Sequence, residues 1–352
     1  MSFRDTFKAA ISRRQGWPAN YDSKQSTIKL SDYLREEAAA LASSGGLEDA
    51  LIDVVYGSNR IENAGSSFEY TLQLCKAIFR GEHVPDEIEP RPKDYEAALR
   101  AFIQGKQQAN QPDVIRSRRE IVQHAQAFNF IINQIVYRKQ LWTEELILQT
   151  HAILYKDMDH EDVKPGAYRD HEVAATYVDP EAMKEYEKST DPNTKPPKEH
   201  KSIFIRARSL KKYMEDFVRH LNDDIATATA NQTMDPYDLA ARYHHQFVNI
   251  HPFGHGNGRM SRVILNVLLI AHAGHVSAFG ADDETKDSYL DIAHRASKKF
   301  HKEDMEVEWE AMSGHHELGR FTLRKSKQYL VRMWECAKTV KGKQGVRSLA
   351  CF

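Results

Sequence analysis

A glycine-rich loop between two helix-like segments constrains this 352-residue chain more than any other feature. The loop runs from His251 to Arg262 and reads His-Pro-Phe-Gly-His-Gly-Asn-Gly-Arg-Met-Ser-Arg. Pro252 ends the helix predicted before the loop, and the apolar run at 262–270 predicts a central buried helix after it. The glycines allow backbone N–H groups to converge where that second helix begins, and its dipole favours an anion there. Because two arginines also share one helical face, the loop predicts a polyphosphate site.

This loop resembles the signature of the Fic (filamentation induced by cAMP) family, His-Pro-Phe-x-[Asp/Glu]-Gly-Asn-Gly-Arg-x-x-Arg. Every fixed position matches except one, because His255 stands where the family usually has an acid. The resemblance implies an all-α Fic fold, a helical bundle with a small β-hairpin flap and helical extensions. We refer to residues 251–262 as the signature loop.

The resemblance also implies a role for each residue of the signature loop. An imidazole accepts a proton near neutral pH, and His251 would take one from a Ser, Thr or Tyr hydroxyl of a target protein. The hydroxyl oxygen would then attack the α-phosphate of ATP, leaving AMP on the target and releasing pyrophosphate. Asn257 would contact the α-phosphate, and Arg259 and Arg262 the β- and γ-phosphates. The other predicted nucleotide-binding residues are Phe253, Gly254, Gly256 and Gly258.

His255 is the departure from the family pattern. The family's acid binds Mg²⁺, which prefers oxygen ligands, whereas imidazole suits softer ions such as Mn²⁺ or Zn²⁺. His255 would therefore bind a softer metal or contact phosphate directly; alternatively, the site takes another phosphate-containing substrate, or binds nucleotide without catalysis. The alternative to AMP transfer is thus a nucleotide-binding or interaction module, or a different phosphoryl or small-molecule chemistry.

A second alternative is a zinc hydrolase built on the histidines at 244, 245, 251 and 255. His244 and His245 are adjacent on a predicted helix and so point about 100° apart. The chain also lacks a His-Glu-x-x-His motif. Two further histidines, His315 and His316, are predicted to lie in solvent.

An upstream segment, Ser58 to Asn63, resembles the inhibitory motif of many Fic proteins, [Ser/Thr]-x-x-x-Glu-[Gly/Asn]. A helix predicted at 47–56 leads into it. The resemblance implies that Glu62 pairs with Arg262 and removes the partner of the γ-phosphate of ATP, with Ser58 and Asn63 as the other inhibitory residues. A shielded Arg–carboxylate pair can hold such a closed state. Some family members use this glutamate to position a hydrolytic water, so removal of AMP stays open beside transfer.

Helical spacing and proline positions divide the chain into four predicted parts. These are an N-terminal extension (1–45), a helical region with the inhibitory motif (46–140), the Fic core (141–300) and a C-terminal helical tail (301–352). Thr143 is predicted to cap the helix that opens the core.

Two strand-like segments at 171–177 and 201–208 interrupt the helices, with a polar loop predicted at 179–200 between them. The element from Gly166 to Arg169 resembles the family's Gly-x-x-Arg. The resemblance implies that residues 166–176 and 201–208 form a flap that holds a target protein by strand addition.

The charge balance, the cysteine count and the length of the apolar runs indicate which kinds of partner and location to expect. Lys and Arg total 49 against 50 Asp and Glu, so no broad nucleic-acid surface is predicted. Three scattered cysteines do not suggest a disulfide framework. The first residues lack an apolar signal core, and no apolar run reaches the length of a membrane span. A cytoplasmic protein with no membrane or nucleic-acid partner is predicted, and the resemblance leaves a homodimer open.

Overall fold

The computed structural model describes residues 46–327 apart from 87, 89–91, 104–110, 159–163, 178–179, 190, 192–193, 199 and 309–310. The predicted N-terminal extension at 1–45 lies outside the described residues, as does the part of the predicted tail at 328–352.

Helices make up most of the described chain, which confirms the predicted all-α class. They are α1 (Gly46–Ile61), α2 (Phe68–Phe79), α3 (Pro92–Ile103), α4 (Gln111–Ile132), α5 (Glu144–Leu154), α6 (Pro180–Lys188), α7 (Leu210–Ala230), α8 (Pro236–Ile250), α9 (Asn257–Ala273) and α10 (Asp283–Glu306). A π-helical turn at Asn133–Tyr137 extends α4, and a 3-10 turn at Ala207–Ser209 precedes α7. A further helix begins at residue 316 and is described as far as 327. No helix within these residues is long and apolar enough to cross a bilayer.

Helix α9 lies at the centre of the core. Every residue from Arg259 to Ile270 is buried, as expected of a helix that is apolar on nearly all sides. It packs chiefly against α8, and the signature loop joins these two helices. The two core helices thus fix both ends of the loop.

Local signals explain where several helices begin. The Thr143 hydroxyl accepts the N–H of Leu146, which confirms the predicted cap of α5. Asp235 accepts the N–H groups of Tyr237 and Asp238 at the start of α8, where Pro236 occupies the first turn. These caps satisfy backbone donors that a helix end would otherwise leave unpaired.

The two strands form an antiparallel hairpin that is shorter than predicted. Strand β1 is Ala174–Tyr177 and β2 is His200–Ile203, with Ala174 opposite Ile203. The strand prediction at 201–208 was wrong beyond Ile203, because the chain turns into the 3-10 segment that leads to α7.

The predicted polar loop at 179–200 was also wrong in part, because it contains helix α6. Pro180 resembles a loop residue in the sequence, but proline is also favoured in the first turn of a helix. The run that follows it, Glu-Ala-Met-Lys-Glu-Tyr-Glu-Lys, is rich in helix formers.

The prediction that His315 lies in solvent was wrong, since its side chain is 1% exposed, whereas that of His316 is 50% exposed. The helix that begins at residue 316 packs on the first turns of α8, where Gly319 lies beside the backbone of Asp238. This packing covers His315, and no periodic pattern in the tail indicated it.

Helix α1 contacts the chain before α10 so closely that Gly57 allows no side chain. A Cβ at Gly57 would lie 2.0 Å from the Phe279 carbonyl oxygen. We expect Gly57→Ala to lower the free energy of unfolding by about 1–3 kcal/mol in urea titrations, because backbone must move.

Gly319→Ala is the matched control for that substitution. Gly319 is also helical, but its added Cβ would meet neighbours at an ordinary 3.5–3.8 Å. This variant should gain up to about 1 kcal/mol from reduced backbone freedom in the unfolded chain. Equal effects of the two substitutions would contradict the close contact at Gly57.

Candidate active site

The signature loop follows one fixed path between α8 and α9. His251 ends α8 in the left-handed conformation with φ 53°, and Gly256 precedes α9 with φ 82°. A Cβ at Gly256 would lie 2.3 Å from the Tyr155 ring, so this turn requires glycine. The Asn257 amide accepts the Phe253 N–H at 3.0 Å and donates to the Phe253 carbonyl at 2.8 Å. Asn257 therefore holds the turn in shape, and its contact with an α-phosphate stays a prediction.

Phe253 anchors the middle of the signature loop in the core. It is fully buried and its ring stacks on His151 with centroids 3.7 Å apart. His151 Nδ1 accepts the Gly166 N–H at 3.0 Å, so the proton is on Nε2, which donates to the His255 carbonyl at 3.1 Å. Burial lowers the pKa of His151 to about 4, which keeps this ring neutral. His151 thereby links the Gly-x-x-Arg element to the signature loop, a role that its sequence position did not indicate.

His251 has the tautomer that a base requires. Its Nδ1 lies 3.0 Å from the Val248 carbonyl oxygen, which can only accept, so Nδ1 carries the proton and Nε2 keeps its lone pair. Phe204 stacks on the imidazole with centroids 3.8 Å apart and fixes the ring plane. Burial, with a further effect from the charge of Arg169, lowers the pKa of His251 to about 4. The imidazole is therefore neutral at neutral pH.

Arg169 joins the hairpin to the signature loop. Its side chain is fully buried and donates to three carbonyl oxygens, those of His251 and His171 at 2.7 Å each and that of Ile205. Its backbone N–H donates to the Pro252 carbonyl at 2.9 Å. The Gly-x-x-Arg element predicted that Arg169 matters, but it did not indicate these carbonyl partners, which only the fold brings together.

The structure brings Arg262 together with the end of α1. Its Nη2 lies 2.5 Å from Glu62 Oε1, and its Nε donates to the Ser58 hydroxyl at 2.8 Å. Nη2 also donates to the Ser58 carbonyl at 3.1 Å, and Nη1 to the Tyr289 hydroxyl at 3.3 Å. The predicted end of the first helix at Tyr56 was wrong, because α1 continues to Ile61 and places Ser58 one turn before Glu62.

Glu62 is ionised in this arrangement. Burial alone would raise its pKa, but the charge and hydrogen bond of Arg262 outweigh burial and hold the pKa below its ordinary value. A Cβ at Gly258 would lie 2.3 Å from Glu62 Oε1. The glycine at this position therefore allows the carboxylate to approach the first turn of α9.

Arg259 offers hydrogen-bond donors that the described residues do not satisfy. It donates through Nη2 to the Tyr155 hydroxyl, and its guanidinium lies 4.7 Å from the centre of that ring. Its Nε and Nη1 are buried and have no hydrogen-bond partner among the described residues. Buried donors without a partner are costly, and a bound anion at the start of α9 would satisfy them. Tyr155 was not predicted, although it lies one helical turn after His151.

The remaining predicted residues lie at the edge of the site. His255 is exposed, and Gly254 is half-buried. Asn63 follows α1 with φ 54°, and its Oδ1 accepts from Lys286 at 3.2 Å, which ties it to α10.

The histidines of the zinc hydrolase alternative contact different residues. His244 Nε2 lies 2.9 Å from the Tyr289 hydroxyl, and His245 Nδ1 lies 3.1 Å from the Asn249 amide. Among the described residues, three potential metal ligands lie close together, namely Asp238, His315 and His316. None of the four histidines of the zinc hydrolase alternative belongs to this group.

NMR titration of histidine-labelled protein tests the environment of His251. We expect the pKa of its imidazole to lie at about 4, since it is half-buried beside Arg169. The signal is assigned by its loss in His251→Gln. A midpoint near the ordinary value of about 6.5 would contradict this placement.

Comparison with protein-family models identifies a Fic/DOC family match at residues 141–269. A Fido domain-containing protein of Dictyostelium discoideum is 37% identical over 98 residues, which is 28% of this chain and 66% of that protein. Protein adenylyltransferase Fic of Drosophila melanogaster is 42% identical over 57 residues, 16% of this chain and 11% of that protein. The chain thus matches slightly less than two thirds of the first relative and a much smaller share of the second.

Two solved structures share the fold. A Fic domain containing signaling protein from Bacteroides thetaiotaomicron has a TM-score of 0.58 and 16% identity, covering 92% of this chain and 100% of that chain. Fic-1 from Caenorhabditis elegans has a TM-score of 0.54 and 20% identity, covering 96% and 76% respectively. This chain therefore contains a Fic/DOC family domain at residues 141–269.

Proposed function

We propose that this protein is a Fic-type protein adenylyltransferase, which transfers AMP from ATP to a Ser, Thr or Tyr hydroxyl and is autoinhibited by Glu62. The observation that carries the proposal is the buried Arg262 guanidinium, paired with Glu62 and Ser58 at the start of α9. The Fic/DOC domain and the relatives named protein adenylyltransferases support it.

The proposed reaction begins at His251. Its Nε2 accepts the proton of the target hydroxyl, and that oxygen forms a bond to the α-phosphorus of ATP. The bond from the α-phosphorus to the oxygen bridging to the β-phosphate breaks, and pyrophosphate leaves. The fixed Nδ1 contact with Val248 supports this assignment, because it aims the lone pair of Nε2 away from α8.

The triphosphate would lie over the first turn of α9. Backbone N–H groups at Gly256 and Gly258 and the helix dipole favour the negative charge. Arg259 would turn Nε and Nη1, the donors that no described residue satisfies, to the β-phosphate, which satisfies the buried guanidinium. Asn257 would reach the α-phosphate only by leaving its contacts with Phe253.

Glu62 inhibits by occupying Arg262. The γ-phosphate would need the same guanidinium, and its negative charge would be repelled by the ionised carboxylate. ATP would then bind with its phosphates displaced from the line of attack. Release of the α1 end would free Arg262 and permit the productive arrangement.

At position 255, a histidine stands where the Fic signature has the acidic residue that binds the metal ion. His255 offers an imidazole where a carboxylate would suit Mg²⁺, and its exposure leaves most of the coordination to phosphate and water. An imidazole donor fits a softer ion such as Mn²⁺. When bound, the ion would neutralise phosphate charge.

The target would dock on the predicted flap, residues 166–176 and 201–208, which contains most of the β1–β2 hairpin. The strand residues Ala174, Ala175 and Thr176 are exposed, and a two-stranded sheet has backbone groups free to pair with an added strand. Arg169 supports this placement, because it ties the hairpin region directly to the His251 carbonyl.

Substitution of Glu62 by glycine should unmask activity. We expect Glu62→Gly to add AMP to itself on incubation with ATP at about 10- to 100-fold the wild-type rate, since it releases a charge-assisted hydrogen bond worth about 1.5–3 kcal/mol. Intact-mass spectrometry with Mg²⁺, Mn²⁺ or Zn²⁺ measures the added AMP.

Two variants control that experiment. Glu62→Gly/His251→Ala should add no AMP, and Asp49→Gly, which replaces an exposed acid in the first turn of α1, should behave as wild type. Absence of AMP on Glu62→Gly with all three metals would contradict the proposed transfer and favour a binding module.

Restoring an acid at position 255 should change the metal preference. In the Glu62→Gly background, we expect His255→Asp to raise the Mg²⁺-dependent rate of AMP addition about tenfold and the Mn²⁺-dependent rate less. His83→Asp, in the exposed loop after α2, is the control. An unchanged Mg²⁺ dependence would remove His255 from the metal site.

A further inference from the structure

A second cluster of chemically active side chains lies at the opposite end of α8 from His251. Asp238 is in the first turn of α8, about 20 Å along the helix from the signature loop. Its Oδ1 lies 3.1 Å from His315 Nε2 and 3.9 Å from His316 Nε2. One ligand atom from each of the three residues lies within 4.8 Å of the others.

The imidazole of His315 is buried with incomplete hydrogen bonding. Its side chain is 1% exposed, and its Nδ1 has no hydrogen-bond partner among the described residues. His316 is half-exposed at the mouth of the cluster, with its ring centroid 4.5 Å from that of His315. Solvent can therefore reach the cluster from the side of His316.

The charges around the cluster favour a cation. Asp238 Oδ2 lies 3.4 Å from Arg242, and Arg242 also lies 3.5 Å from Asp224. Two carboxylates share this guanidinium, so the group carries one net negative charge when the imidazoles are neutral. Lys299, whose charge acts on His316, pairs with Glu303 at 3.4 Å.

We propose that Asp238, His315 and His316 form a zinc-binding site, separate from the nucleotide site. Two imidazole nitrogens and one carboxylate oxygen suit Zn²⁺ better than Mg²⁺, with water as a fourth ligand. Ligand atoms around a tetrahedral Zn²⁺ lie about 3.3 Å apart, so a small rotation of the half-exposed His316 completes the geometry. The ion would fasten the helix that begins at residue 316 to α8, the helix that ends in His251.

Zinc binding by the metal-free 352-residue chain tests this proposal. Isothermal titration with Zn²⁺ should show a site in the wild type whose affinity falls at least about tenfold in His316→Ala and in Asp238→Asn. His255→Ala and His83→Ala should keep it. Co²⁺ in the same site should give the visible absorption of tetrahedral coordination, which His316→Ala should abolish.

His316→Ala decides the result, because this half-exposed side chain can be removed without opening the core. Circular dichroism of the variant checks its fold. Absence of Zn²⁺ binding to the wild type, or undiminished binding by His316→Ala, would overturn the proposal. Loss of binding in His255→Ala alone would place the zinc at the signature loop and also overturn it. Because no readout uses ATP, the result is independent of the proposed transferase activity.

Discussion

The buried guanidinium of Arg262 is the group on which the arrangement of this site depends. A buried charge without a partner costs several kcal/mol, so Arg262 must be paired in every stable state. Here Ser58 and Glu62 supply most of its partners from α1, and Tyr289 supplies another from α10. Three helices distant in sequence thus meet at one cation. A phosphate could take the place of Glu62 without leaving the charge unpaired, which makes this contact suitable for a switch.

The signature loop is held independently of that contact. Asn257, His151 and Arg169 fix its backbone through hydrogen bonds to Phe253, His255 and His251 respectively. Each of these partners is a backbone group, so the loop keeps its shape whichever group pairs with Arg262. The conformation of the signature loop is therefore independent of the Arg262–Glu62 contact, and a change at the end of α1 can alter the partners of Arg262 without rearranging the loop.

Helical periodicity, which is a local property, predicted the class of fold, and the resemblance of two segments to Fic motifs implied the pairing of Glu62 with Arg262 that the structure contains. The sequence did not indicate Tyr155 or Tyr289, since a single tyrosine in a helix carries no sign of the arginine it will meet. Helix α6 was missed because its starting proline reads as a loop. The burial of His315 depends on packing against α8, a contact about 80 residues away in the chain that no local pattern encodes.

We propose that Glu62 and the γ-phosphate of ATP compete for the guanidinium of Arg262. Crystal structures of the wild type and Glu62→Gly with a non-hydrolysable ATP analogue test it directly. We expect Arg262 to contact the γ-phosphate in Glu62→Gly, with the α-phosphate facing His251 Nε2, whereas in the wild type Arg262 stays on Glu62 and the phosphates are displaced. Phosphates in the same position in both structures, or no nucleotide at the start of α9 in either, would contradict it.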